Sequence, residues 1–327
     1  MFTLPDFREK QILFIQPEKE KEYCLRIKNQ NIAYEENGKV VNQIPCGKVI
    51  SLFVLGEISF TSVLLRKCLE NGVSIHFLKR NLETYATVGS EASGNYLLRE
   101  NQYALSDEER MEKARLIVKN KINNQLSLLT SCGMKTISSE NLPLLEYRNV
   151  LFQKIDNADE NRSLLGIEGD MSKKFFQEYF SDIDWRGRVP RGKIDSNNIL
   201  LDIGYTILFN YIDSLLRLFG FDTYRGFYHR LFFQRKSLSC DIEEPFRCIV
   251  EKKLLKMRHL GQINEKDFSY SSKTKQYFLK YEQSTKYAKL FTEAILEEKE
   301  EIFQYVKAFY YHTLNNEGDF PFFDRDH

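Results

Sequence analysis

The sequence predicts a two-domain α+β protein, with a β-rich N-terminal domain carrying one short helix over residues 1–88 and an all-α domain over 89–327. Three observations carry this. Apolar residues alternate with period two in the first part of the chain. Asn37-Gly38 sits there between two apolar-flanked segments, a strong hairpin signal. Beyond "NLETYATVGSEASGN", a stretch rich in small and polar residues, the period becomes helical.

The strands come first. "CLRIK" alternates Leu25 and Ile27 against polar neighbours, and "NIAYEENGKVVNQI" supplies the hairpin. "VISLFVLG" is apolar and β-rich enough for a buried strand. "FTSVLLRKCLENG" reads as a short helix stopped by Asn71-Gly72, and "VSIHFL" returns to strand.

The helices follow. "SDEERMEKARLIVKNKINNQLSLL" opens with Ser106 three residues before Glu109, the spacing of a capping box. Met111, Ala114, Val118, Ile122 and Leu129 fall on one face of it. "GDMSKKFFQEYF" is a second helix. "SNNILLDIGYTILFNYIDSLLRLFG" is apolar almost all round and ends at Gly220, which predicts a central helix buried on several sides. "IEEPFRCIVEKKLLKMRHLG" and "YAKLFTEAILEEKEEIFQYVKAFYYHTL" complete the set, with polar loops at "DNADENRS" and "NEKDFSYSSKTK".

Composition narrows the classes. A chain of 327 residues with 42% hydrophobic content can bury a real core. Apolar runs such as "VISLFVLG" are too short to span a bilayer, and "MFTLPDFREK" lacks the apolar stretch of a secretory signal, so the expectation is a cytoplasmic protein with no membrane partner. Six cysteines without a C-x-x-C read as free thiols in a reducing compartment. A net charge of +1 gives no global signal for nucleic acid, which leaves local basic surface to provide one.

Three places hold candidate chemistry. In "GIEGD", Glu168 lies between glycines that permit a tight turn beside a ligand, or else it serves the first turn of the following helix. His229 reads as a satisfied core residue or as a ligand, and among the five histidines it alone is closely followed by a carboxylate cluster. In that cluster, "DIEE", Asp241 and Glu244 are three apart and share a helix face. That spacing suits two oxygens converging on one cation, and equally an N-cap at Asp241 with Glu244 at N3. Carboxylates with one imidazole fit Mg²⁺ or Mn²⁺, ions that usually act on phosphates. Arg225, Arg230, Arg235, Lys236 and Arg247 surround the cluster and read as phosphate contacts or as solvated surface charge.

These stretches carry a family resemblance over most of the chain. "FVLGEISFTSVLL", "LLRENQ" with Arg99 and Gln102, "ARLIVKNKINNQ", "GIEG", "NNILLDIGYTIL", "GFYH" and "SLSCDIEEPFR" occur in the order of the CRISPR-associated adaptation integrases, and the chain resembles that family. The resemblance implies that the N-terminal domain is β-sandwich-like and serves dimerisation and DNA support, and that the all-α C-terminal domain is catalytic, with metal ligands at Glu168, His229 and Glu244 and Asp241 as a supporting acid. Ile242, Glu251 and Phe175 depart from the family's leucine, aspartate and tyrosine, and none of them is an implied ligand.

The implied activity is spacer acquisition. A 3′-hydroxyl of a short DNA fragment attacks a phosphodiester at the border of a CRISPR repeat, with Mg²⁺ or Mn²⁺ as cofactor. The implied partners are double-stranded DNA, further copies of the chain as a homodimer or higher homo-oligomer, and a small second adaptation subunit. DNA contacts are expected at Arg188, Arg191, Arg230, Arg235 and Lys236. Two other readings stay open: a metal-dependent, structure-specific endonuclease in which water replaces the hydroxyl, and a non-catalytic DNA-binding architectural subunit whose acids only cap helices.

Overall fold

A computed structural model describes residues 4–18, 21–89, 95–140, 142–229, 235–315 and 318–324. The chain forms α1 (Leu4–Arg8), β1 (Gln11–Ile15), β2 (Tyr23–Lys28), β3 (Asn31–Glu36), β4 (Lys39–Pro45), β5 (Val49–Leu55), β6 (Ser59–Phe60), α2 (Ser62–Glu70), β7 (Ser74–Leu78) and β8 (Thr84–Val88). Helices α3 (Tyr96–Ala104), α4 (Asp107–Ser131), α5 (Leu144–Asp156), α6 (Asn161–Tyr179), α7 (Ser196–Phe219), α8 (Ser237–Glu243) and α9 (Arg247–His259) follow. A hairpin of β9 (Phe268–Ser271) and β10 (Gln276–Leu279) precedes α10 (Ser284–Glu297) and α11 (Lys299–Asn315).

The N-terminal strands make two four-stranded sheets, ordered β4-β3-β2-β6 and β1-β5-β7-β8. In the first, β2, β3 and β4 form an antiparallel meander. Asn37 and Gly38 turn between β3 and β4 with φ of 48° and 79°, the handedness that matches strand twist. Asn29 and Gln30 make the preceding turn the same way without a glycine. In the second sheet β5 pairs in parallel with β1 and β7, and β8 closes the edge antiparallel to β7.

Strand β5 is buried along its whole length, because both its faces pack. Leu52 and Val54 join Leu25, Ile32, Ile75 and the α2 residues Leu64 and Cys68 in one core. Phe53 and Leu55 belong to a second, larger core that runs through α4, α7, α9 and α11. Each such side chain contributes roughly 1.5–3 kcal/mol of burial. His76 of β7 faces α7 as a satisfied core residue, its Nδ1 3.1 Å from Thr87 Oγ1 and its Nε2 3.0 Å from Ser214 Oγ.

The helical region is organised on α4 and α7. The capping box at the start of α4 is complete: Ser106 Oγ accepts from Glu109 N–H at 3.2 Å, and the Glu109 carboxylate accepts from Ser106 N–H at 2.7 Å. Helix α7 starts where the Asp195 carboxylate accepts the Asn198 N–H and stops at Gly220, whose φ is 94°. By length and composition α7 is apolar enough to cross a bilayer, but it lies mostly buried among β5 and helices α8 to α11. Gly204 lets the neighbours approach, since a Cβ there would stand 2.4 Å from Val250 of α9 and 2.9 Å from Phe291 of α10.

Four local expectations change. The polar stretch around "NEKDFSYSSKTK" is a hairpin, β9–β10, so the second part is not wholly helical; Phe268 anchors it against Tyr287, ring centroids 5.7 Å apart. "NLETYATVGSEASGN" contains β8, whose Tyr and Thr residues suit an edge strand. Helix α6 begins inside "DNADENRS", well before Gly169. The last predicted helix divides at Glu298, within the charged run "EEKEE", into α10 and α11.

Candidate active site

Four segments that are remote in sequence meet at one place. Glu168 comes from the middle of α6, with Gly166 and Gly169 in the same helix. A Cβ at either glycine would touch nothing within 4 Å, so α6 presents a bare surface beside a carboxylate that is 18% exposed. Both sequence readings of Glu168, a tight turn and a first helical turn, give way to this mid-helix position.

Asp241 lies in the last turn of α8, and Glu244 opens a 3-10 turn, Glu244–Phe246, that leads into α9. The capping alternative for this pair is therefore overturned. The fully buried Asp241 carboxylate instead accepts backbone N–H groups of Phe227 at 2.7 Å, Tyr228 at 3.1 Å and His229 at 2.8 Å. It also takes the His229 ring nitrogen Nδ1 at 2.7 Å. Gly226 makes this wrap possible, since a Cβ there would lie 2.5 Å from Asp241 Oδ2. With the Nδ1 proton directed at Asp241, the Nε2 lone pair points to the other side, where Glu244 Oε1 lies 3.7 Å away.

The sequence did not single out Lys121 of α4, yet its ammonium bridges the two glutamates. It pairs with Glu168 Oε1 and, at 2.7 Å, with Glu244 Oε2. Glu168 further accepts from Ser172 Oγ at 3.1 Å and Tyr228 Oη at 3.3 Å. Arg247 stands 3.1 Å from Glu244 Oε1 and 3.3 Å from Glu243 Oε2, with its guanidinium 5.0 Å from the Tyr205 ring centre. A signal for this was present in "NKINNQ": Asn120, Lys121, Asn123, Asn124 and Gln125 are all buried, which a simple apolar stripe cannot explain. Asn124 ties α4 to the 3-10 turn by donating to Pro245 O at 2.9 Å.

The electrostatics follow from these contacts. Burial pushes the Glu244 carboxyl up, but Arg247 and Lys121 outweigh it and hold it well below the usual range. Burial opposes the Lys121 charge, and Glu168 and Glu244 overcome it, so its pKa rises. Burial raises Glu243 to about 7 against the opposing pull of Arg247. The site thus keeps an ionised Glu244 beside a far weaker acid.

The basic residues expected to meet DNA fare differently. Arg188 donates to Asp202 Oδ1 at 2.7 Å and Asn198 Oδ1 at 3.2 Å. Lys236 lies 2.7 Å from Asp213 Oδ2, an acid fully buried in α7. Both charges are committed within the fold. Arg191 and Arg235 are exposed. Arg230 lies outside the described residues. A cavity of about 310 Å³ opens beside His229, lined among others by Arg110, Asn161, Arg225 and Phe227.

The donor chemistry suits a hard divalent cation: two carboxylates already converge on one positive charge, and an imidazole nitrogen faces them. Among the described residues no three His, Cys, Asp or Glu side chains stand at metal-holding spacing, and the Lys121 ammonium occupies the gap between the glutamates.

A family model described as "CRISPR associated protein Cas1" matches residues 19–293. The CRISPR-associated endonuclease Cas1 1 of Thermodesulfovibrio yellowstonii is 26% identical over 290 residues, covering 85% of this chain and 90% of that protein. A Cas1 protein from Thermotoga maritima has the same α+β fold, with a TM-score of 0.78 at 22% identity over 93% of this chain and 97% of that one. A casposase bound to integration product superposes with a TM-score of 0.79 at 19% identity, over 94% of this chain and 92% of the other.

Proposed function

The chain belongs to the CRISPR-associated Cas1 family, and from that premise we propose that it is a spacer-acquisition integrase. The reaction is a transesterification. The 3′-hydroxyl oxygen of a short DNA fragment forms a bond to phosphorus at a CRISPR repeat border, and the bond to the departing 3′-oxygen breaks. The observation that carries this reading is the convergence of Glu168, His229 and Glu244 from three separate elements.

In this reading Glu168, His229 and Glu244 would hold Mg²⁺ or Mn²⁺. When bound, the ion supplies stabilisation for negative charge developing at the phosphorus. Asp241 holds the imidazole so that Nε2 faces the acids. Arg247 keeps Glu244 ionised and anchors the turn that carries it. The nucleophile comes with the substrate, so no covalent enzyme intermediate is needed, and the protein's remaining task is alignment.

Residues 1–88 serve dimerisation and DNA support, and 89–327 carry the catalytic groups. Double-stranded DNA is the substrate, with Arg191 and Arg235 as its exposed basic contacts. A homodimer or higher homo-oligomer, with a small second adaptation subunit, joins local basic surfaces into a longer track.

The test is strand transfer of a labelled DNA fragment into a repeat-bearing plasmid, scored for joined product, with each divalent ion and with chelator. Metal-dependent joined product is expected. Nicks without joined product make the chain a structure-specific endonuclease. Full activity in Glu168→Ala reduces the acids to structural groups.

A further inference from the structure

We propose that Lys121 is the resident cation of this site: its ammonium holds the Glu168 and Glu244 carboxylates together in the metal-free protein and is expelled when a divalent cation binds. The inference rests on the reading that these glutamates hold metal.

The geometry carries it. Lys121 belongs to α4, Glu168 to α6 and Glu244 to the 3-10 turn after α8, so one ammonium cross-links three elements. Its side chain is 7% exposed, and the two glutamates are its only ion-pair partners among the described residues. A buried ammonium held only by two acids sits where those acids would grip another cation. Two positive centres cannot share that gap, because repulsion between them is strong where water is excluded.

Arg247 offers the contrast. It also pairs with Glu244, but through Oε1, and it is fixed by Glu243 and the Tyr205 ring. Lys121 meets the other oxygen, Oε2, at 2.7 Å. A divalent ion replaces this single charge with a stronger one. The four-carbon stem of a lysine lets the ammonium leave without movement of α4.

Lys121→Met in the full chain tests this, with Mn²⁺ binding followed by the paramagnetic resonance of free Mn²⁺ and thermal melting recorded in chelator. The variant is expected to bind Mn²⁺ about tenfold tighter than the parent, because no ammonium has to be displaced. In chelator it is expected to melt lower, since two carboxylates lose their shared counter-ion, and saturating Mn²⁺ narrows that gap. A lysine that only stiffens the fold lowers melting without tightening Mn²⁺ binding. Equal or weaker Mn²⁺ binding by folded Lys121→Met therefore overturns the proposal.

If the variant does not fold, lysine acylation of the parent protein decides, read by peptide mass spectrometry. Lys121 is expected to be protected in chelator and reactive at Mn²⁺ saturation, and protection in both conditions overturns the proposal. A parent protein that binds no Mn²⁺ overturns the metal-site reading itself. Mn²⁺ binding in the parent without tightening in the variant removes only the role given to Lys121.

Discussion

The Asp241 carboxylate accepts both the ring N–H of His229, at 2.7 Å, and its backbone N–H, at 2.8 Å. One buried acid therefore fixes the chain path and the orientation of the imidazole together. Asp241→Asn replaces an acceptor of several N–H groups with a side chain that brings its own donor. We expect a loss on the order of 2–4 kcal/mol in denaturant unfolding and about a 10- to 100-fold loss of joined product. A variant with parental stability and rate contradicts the positioning role.

His76 sets an acid limit on the fold. Burial pushes its pKa from 6.5 down to about 3, because the imidazole sits dry between β7 and α7. Above 6.5 it is neutral in both states. As pH falls from 6.5 toward 3, the unfolded chain takes up a proton that the folded protein refuses, so stability declines over that window. The loss reaches on the order of 4 kcal/mol at the lower end. His76→Gln lacks this titration, and its acid-unfolding midpoint, followed by circular dichroism, is expected at lower pH relative to its own neutral-pH stability. An unshifted midpoint contradicts the assignment.

Arg188 and Arg235 separate two meanings of positive charge. Arg188→Ala removes the ion-pair partner of Asp202, which keeps only the Arg191 N–H on its other oxygen, and is expected to lower stability by about 1 kcal/mol, with an unchanged salt slope for DNA binding. Arg235→Ala is expected to leave unfolding unchanged and to flatten the salt dependence of DNA affinity by about one unit. The opposite pattern reverses the two roles. Fluorescence anisotropy across a salt series, with urea melts, distinguishes them.

Gly204→Ala probes the packing that supports the site from below. The added methyl meets Val250 Cγ1 at 2.4 Å and Phe291 Cδ1 at 2.9 Å, so these buried side chains or the helices that carry them must shift. The expected cost is about 1–3 kcal/mol of unfolding free energy. Unfolding at the parental denaturant midpoint contradicts the close approach of the helices.

Legibility in the sequence followed the range of the interaction. Asn37-Gly38, the Ser106–Glu109 box and the stop at Gly220 are local chemistry, and each formed where the residues indicated. Strands β8, β9 and β10 are only four or five residues long, too short to set up a period, and no Asn-Gly or Asp-Gly pair marks their turns. The glycines around Glu168 suggested a turn, but α6 accommodates them because nothing packs against that face. The carboxylates and His229 were readable as candidates. Their bridge, Lys121, was marked only by the polar run "NKINNQ", because its partners lie in other elements and meet it only through space.

The most direct measurement of the central claim is strand transfer by Glu168→Gln into a repeat-bearing plasmid, with DNA affinity determined on the same preparation. If the three side chains surround one metal-dependent centre, joined product falls by about a hundredfold or more while affinity for the fragment is retained. Joined product at the parental rate contradicts that claim.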